Sequence, residues 1–306
     1  MKSARFKLSL VLFFATCFFT TALAQQNLSI TEELYGYVLG IEGSDVQQRR
    51  EFIISQLQQM GVGYAVAPFT EIVITKPDSL GKRDTLTYSG QNIIAHIGTD
   101  FKKIIVSAHY DVAKNSPGAN DNGSGVAVAL ALLNYFKDQD MKHSLEVCFF
   151  DQKENGLFGS INYIKQFAIA AKHIALLNLD VVGSGNEVYI GPVGGGDDVL
   201  LMPILREAMR ALPYHYVERA NYPLSDYVPF ASVGLENISI SVVPEGDGDK
   251  LASYAKDGGL KDSINAPRVF TFIHTPLDRS NYVSPHSLKM AFEFTKETII
   301  LLNRRR

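Results

Sequence analysis

Along this chain, stretches whose apolar residues recur at helical spacing alternate with short apolar runs rich in β-branched residues. The runs at residues 92–97, 104–109, 145–151, 174–180, 187–190 and 238–243 read as strands, because each is short, apolar and bounded by turn-forming residues. Residues 45–60 carry a helical period, with Ser44 as the cap and Gly61 as the terminator. Residues 124–136 are apolar nearly all round, which predicts a helix buried against a sheet. Further helices are expected over residues 197–212 and 285–303, the latter opened by Ser284 and then Pro285, a cap followed by proline at the first helical position. This alternation predicts an α/β fold: a single domain with a mainly parallel central sheet flanked by helices on both faces.

Two polar stretches interrupt the alternation. Residues 76–88 read as a hairpin excursion, and residues 245–268 as a long connection rich in Gly, Asp and Lys, a candidate lid. The amino terminus differs in kind. Lys2, Arg5 and Lys7 precede the apolar run LSLVLFFATCFF, and Ala22-Leu23-Ala24 forms a small-residue cleavage site, so residues 1–24 read as a secretory signal. The run is shorter than the roughly 20 residues a membrane span needs. The expectation is therefore an exported chain of residues 25–306, periplasmic or extracellular, with no membrane partner once the signal is removed.

Composition narrows the classes further. Cys17 falls in the signal, which leaves Cys148 in an apolar run and no intrachain disulfide. The formal charge of −3 and the lack of a basic stripe interleaved with aromatics exclude nucleic acid as the expected partner, and Arg304 to Arg306 make only a short basic tail. Gly191 to Gly196 follow a strand and open a helix in the manner of a phosphate cradle, but Asp197 and Asp198 would repel a phosphate there. No G-x-S-x-G elbow is present, and the loop around Asp247 and Asp249 lacks calcium-ligand spacing.

Five short phrases carry the candidate chemistry: SAHYD, GANDNGSG, FFDQKENGLFGS, LNLDVVG and FIHTPLD. They contain His109, Asp121, Glu154, Asp180 and His274, and two imidazoles with three carboxylates is a ligand set for a pair of divalent ions sharing one carboxylate. A lone histidine at a strand end is more often structural. His109 differs because Asp111, two residues on, could accept a hydrogen bond from the ring nitrogen not bound to metal. Asp121, in a Gly-rich turn ahead of a buried helix, could equally be an ordinary cap, but its two oxygens could each bind one ion. Glu154 and Asp180 follow strongly apolar strands, where a buried carboxylate needs a cation or several donors. The expected ligands fall at the carboxyl ends of strands, the edge at which open α/β sheets place their sites.

As a set and in this order, the phrases resemble the M28 family of zinc peptidases, which includes bacterial aminopeptidases and the related glutaminyl cyclases. The resemblance covers about residue 45 to the carboxyl terminus. It implies a single α/β domain that releases amino-terminal residues from peptides, with His109 and Asp180 on one zinc, Glu154 and His274 on the other, and Asp121 bridging the two. It also implies that the stretch Ser225 to Phe230, with Asp226 and Tyr227, lies beside the substrate. One position departs from the family: where it has a glutamate base immediately before the ligand glutamate, this chain has Lys153. Three accounts of Lys153 are open at the level of sequence. The amine could be neutral and act as the base, Asp151 could substitute from two positions earlier on a strand, or the protein could bind metal and peptide without turnover. Glutaminyl cyclisation is the remaining alternative, set back by the absence of tryptophan.

Overall fold

In the computed structural model, which describes residues 29–77, 81–167, 173–194, 200–261 and 266–305, the apolar runs assemble into one sheet. Its strands are β1 (Gly63–Ile74), β2 (Thr85–Ile97), β3 (Lys103–His109), β4 (Ser144–Phe150), β5 (His173–Leu179), β6 (Glu187–Gly191), β7 (His215–Glu218) and β8 (Asn237–Val243). The spatial order is β1-β2-β4-β3-β5-β8-β6-β7. The four central strands, β4, β3, β5 and β8, run parallel, while β1–β2, β2–β4 and β6–β8 pair antiparallel and β6–β7 pair parallel. The sheet is thus mixed, with its parallel block at the centre.

The helices are α1 (Ile30–Ile41), α2 (Val46–Met60), α3 (Gly125–Phe136), α4 (Phe158–Phe167), α5 (Leu201–Ala211), α6 (Tyr227–Ser232), α7 (Asp247–Asp257) and α8 (Pro285–Arg304). Alternate residues of each central strand face opposite helix layers. Ile104, Val106 and Ala108 of β3 pack with Val38 of α1, Ile53 of α2, Leu130 of α3 and Phe294 of α8, whereas Ile105 joins Tyr163 of α4, Phe230 of α6 and Leu251 of α7. Both faces are covered, which explains why these strands read as continuous apolar runs. Among the described residues no helix is long and apolar enough to cross a membrane. The expected signal, residues 1–24, lies outside them, as does the expected start of the helix now seen as α5.

Several local expectations change. The cap of α2 is Asp45, not Ser44: its carboxylate accepts the Gln48 N–H at 2.9 Å and Gln48 answers to the Asp45 N–H, a reciprocal capping box. The stretch at residues 245–268 is not one long connection, because its middle forms α7. Gly246 and Gly258, which suggested a loop, adopt the left-handed conformation at the two ends of that helix, and Leu251 and Ala252 bury its apolar face. The hairpin expected over residues 76–88 is shorter, because β2 already begins at Thr85.

The parallel block positions the chemistry. His109 is the last residue of β3, Asp180 follows β5 directly, and Glu154 lies just beyond β4. Helix α3 enters tightly against this edge. A Cβ on Gly125 would lie 2.8 Å from the Leu179 carbonyl oxygen and 2.5 Å from Asn122 Oδ1, so only glycine lets the turn carrying Asp121 approach the end of β5.

Candidate metal centre

His109 is buried at the end of β3, with Nδ1 3.3 Å from Asp111 Oδ1. Asp111 also accepts the Glu154 N–H through Oδ2 at 3.0 Å, which ties the loop after β4 to the loop after β3. The other ring nitrogen, Nε2, faces Asp121 Oδ1 at 3.1 Å and Asp180 Oδ1 at 3.4 Å. Asp180 is held from behind: its Oδ2 accepts from Ser225 Oγ at 2.6 Å, Ser225 Oγ accepts from Asn178 Nδ2 at 2.9 Å, and Asn178 Oδ1 accepts from Ser107 Oγ at 2.7 Å. A buried polar relay therefore reaches from β3 through β5 to the Asp180 carboxylate.

The second half opens to solvent. His274 stands in the turns after residues 268–271, with its side chain 51% exposed and its Nε2 2.9 Å from Asp121 Oδ2 and 3.3 Å from Glu154 Oε2. The two oxygens of Asp121 thus face different imidazoles. One ligand atom from each of His109, Asp121 and Glu154 can be chosen so that all lie within 4.8 Å of one another.

The donor set fits a cation. Among the described residues, His109 Nε2, Asp121 Oδ1 and Asp180 Oδ1 are buried without a hydrogen-bond partner, although both carboxylate oxygens lie within 3.4 Å of the ring nitrogen. Such atoms would carry a full desolvation penalty unless a cation met them, and imidazole mixed with carboxylate suits zinc.

Lys153 enters the same space. Its Nζ lies 3.1 Å from Glu154 Oε1, 3.7 Å from Asp180 Oδ2 and 3.8 Å from Asp121 Oδ1. Burial opposes the ammonium form, but Asp121, Asp180 and Glu154 outweigh it and hold the lysine pKa well above its usual value. The His109 pKa also rises, since the facing carboxylates of Asp111, Asp121 and Asp180 overcome burial and the charge of Lys153. Hydrogen bonds donated to Asp121 and then Glu154 push His274 up to about 10. Asp151 does not point to this site. The strand ends at Phe150, Gln152 takes φ +61°, and Asp151 Oδ2 accepts from the Gln91 N–H and the Tyr110 hydroxyl, each at 3.0 Å. The strand periodicity that would have placed it beside Lys153 has already broken.

The centre opens onto a cavity of about 380 Å³, lined by Asp121, Lys153, Asp180 and His274 on one side and on the other by residues that include Tyr222, Leu251, Tyr254, Val269 and Phe270. Helix α7, expected as part of a loop, forms one of its walls. Asp226 and Tyr227 are not brought to it. Asp226 is fully buried and accepts from Ser160 Oγ at 2.5 Å, and Tyr227 donates to the Tyr222 carbonyl at 3.2 Å, so the segment presents Tyr222, Pro223 and Leu224 instead. Burial pushes the Asp226 carboxyl up to about 6, against the opposing influence of His109, Ser160 and Lys153.

Sequence reasoning missed three supporting residues. Ser225 was passed over for its neighbours. Asp278 closed the phrase FIHTPLD without a role. Arg49 had a visible signal, since with Ile53 and Leu57 it completes the buried stripe of α2 at a spacing of four residues, where an arginine has to find partners. Burial pulls its pKa down to about 10, opposed by Asp278, Asp111 and Asp121.

Comparison with known proteins bears on the family and the fold. The description of Peptidase family M28 matches residues 92–299. Aminopeptidase YwaD of Bacillus subtilis is 26% identical over 196 residues, which are 61% of this chain but 38% of that protein, so the chain spans well under half the length of this relative. Among solved structures, BSAP, a zinc aminopeptidase from Bacillus subtilis, superposes with a TM-score of 0.68 at 15% identity over 88% of this chain and 94% of that one. The glutaminyl cyclase of Porphyromonas gingivalis gives 0.61 at 19% identity over 89% and 97%. At these identities the likeness to both structures is one of fold.

Proposed function

Because the chain belongs to peptidase family M28, we propose that it is a zinc-dependent exopeptidase that removes residues from the amino-terminal end of peptides. The observation that carries this reading is the division of Asp121 between two imidazoles, Oδ1 toward His109 and Oδ2 toward His274, with Asp180 completing the first side and Glu154 the second. On this reading His109, Asp121 and Asp180 hold one ion, and Asp121, Glu154 and His274 hold another. Zinc, when bound, supplies polarisation of the scissile carbonyl and a water of lowered pKa. The protein supplies orientation and exclusion of solvent. The Asp111 carbonyl, 3.2 Å from Nδ1, holds the His109 ring so that Nε2 points inward. The apolar wall of Leu251, Val269, Phe270 and Ile273 receives a side chain and keeps water from it. Lys153, next to Glu154 and at the cavity, is the group placed to hold or pass a proton at the reacting amide. The amino-terminal apolar segment supports export.

A second reading has one observation in its favour. The Lys153 ammonium contacts three of the expected ligands, which favours a protein that binds metal and peptide but turns over little. The full chain reconstituted with zinc and assayed on aminoacyl p-nitroanilides beside Lys153→Ala and Lys153→Glu separates the two. Wild-type hydrolysis lost in Lys153→Ala supports the exopeptidase, and hydrolysis confined to Lys153→Glu supports the silent protein. Zinc taken up by none of the three would remove both.

A further inference from the structure

The turn that carries the bridging carboxylate is gripped from both sides by buried charges of opposite sign. On one side Arg49, fully buried on α2, donates through Nη2 to the carbonyls of Pro117 at 2.6 Å and Gly118 at 3.0 Å, and through Nε to the Ser44 carbonyl at 3.1 Å. Gly118 takes φ +65°, and a Cβ there would lie 2.5 Å from Arg49 Nη2, so the grip depends on bare backbone. On the other side Asp278, also fully buried, accepts the Asn120 N–H through Oδ1 at 2.8 Å and the Asp121 N–H through Oδ2 at 3.0 Å, while its own carbonyl accepts the Ala119 N–H at 3.1 Å.

We propose that Asp278 is a positioning residue for Asp121, one that holds the bridging carboxylate and His274 in mutual register. Two successive amides bound to one carboxylate fix the peptide planes on both sides of the Asn120 Cα, and therefore the direction in which Asp121 leaves the backbone. Asp278 stands four residues after His274, and the segment between them is closed by the Asp278 N–H to the Thr275 carbonyl at 3.2 Å and the Leu277 N–H to Thr275 Oγ1 at 3.1 Å. The same short turn thus presents the His274 ring to Asp121 Oδ2 and anchors the Asp121 backbone. A side chain that touches no ligand atom sets the separation of two ligands that are far apart in sequence.

The proposal rests on the metal reading of the site, and its test keeps the two apart. In the metal-free full chain, Asp278→Asn should raise the hydrogen-exchange rates of the Asn120 and Asp121 amides by at least about tenfold, because the amide group offers an N–H where a backbone N–H must be accepted. Titrated with cobalt(II) and followed by visible absorption, the same variant should bind about 10- to 100-fold more weakly and with altered bands. Glu236→Gln is the control. Glu236 precedes β8, at the strand edge opposite the cluster, and its carboxylate accepts the Leu200 N–H at 3.0 Å and the Leu201 N–H at 2.5 Å at the start of α5, so its loss should lower stability and leave the cobalt bands unchanged. Unchanged exchange at Asn120 and Asp121, or cobalt binding equal to wild type in Asp278→Asn, overturns the positioning role. Wild-type protein that takes up no cobalt overturns the metal reading, and exchange then decides the clamp alone. Should Asp278→Asn not fold, wild-type exchange still decides: fast exchange at both amides overturns the clamp, and slow exchange supports it.

Discussion

The two halves of the centre are built differently although they share Asp121. The half around His109 and Asp180 is made from the ends of adjacent parallel strands, is almost fully buried, and is held by Asp111 and by the relay of Ser225, Asn178 and Ser107. The half around Glu154 and His274 joins a loop to a distant turn, leaves the histidine half-exposed, and admits the Lys153 amine within 3.1 Å of Glu154. Sheet ends give rigid, preorganised ligands, while loops give ligands that meet solvent and substrate. The difference teaches that one half is the foundation of the site and the other its working face.

The largest test of this contrast lies at Lys153. Lys153→Ala removes the proton-handling group and the cation of the open half, so it should lower turnover of the zinc-loaded chain by about 10²- to 10⁴-fold. It should also raise zinc equivalents per chain, measured by elemental analysis after dialysis. Unchanged metal content would show that the lysine does not compete with a cation. Next in size, His109→Ala leaves Asp121 and Asp180 buried opposite an empty volume and should cost the metal-free protein about 3–5 kcal/mol in urea unfolding. His274→Ala, on the open half, should cost under about 1 kcal/mol. Equal losses would erase the distinction between foundation and working face.

The buried half should also carry a pH signature. The folded-state carboxyl of Asp226, which follows Ser225, is raised to about 6 from an ordinary value of 3.8, so the folded state holds this proton more tightly than the unfolded chain. Its stabilising contribution is present below pH 4 and is lost as the pH rises through 6, about 3 kcal/mol in all. Urea unfolding between pH 4 and 7 should show that loss in wild type and its absence in Asp226→Asn. A parallel slope in both proteins would remove Asp226 as the source. Smallest of all, Ser225→Ala frees one oxygen of Asp180 and should weaken cobalt or zinc binding by about tenfold, with a stability change near 1 kcal/mol.

Much of this was legible in the chain as written. Continuous apolar runs identified β3, β4, β5, β6 and β8, because a strand covered on both faces has no polar side to show. The uniformly apolar stretch identified α3 for the same reason. The five ligand phrases stood out because carboxylates beside such runs are costly without a cation. By contrast, α7 was hidden by glycines that mark its two ends but resemble a loop in composition, and Asp151 was misdirected by assuming that strand alternation continued past Phe150. The segment from Ser225 to Phe230 indicated a neighbourhood, yet which of its side chains reaches Asp180 depends on how α6 packs.

Which residue types could hold a cation, and the alternation of layers, are local properties, written in residue type and period, and both can be read from the sequence alone. Tertiary structure alone decided that Asp121 turns one oxygen to each imidazole, that Lys153 reaches three carboxylates, and that Arg49 and Asp278 close on the turn between them. Those facts arise from contacts between separate segments, as far as 157 residues apart for Asp121 and Asp278, whose directions are set by the packing of helices on the sheet and leave no periodic trace along the chain.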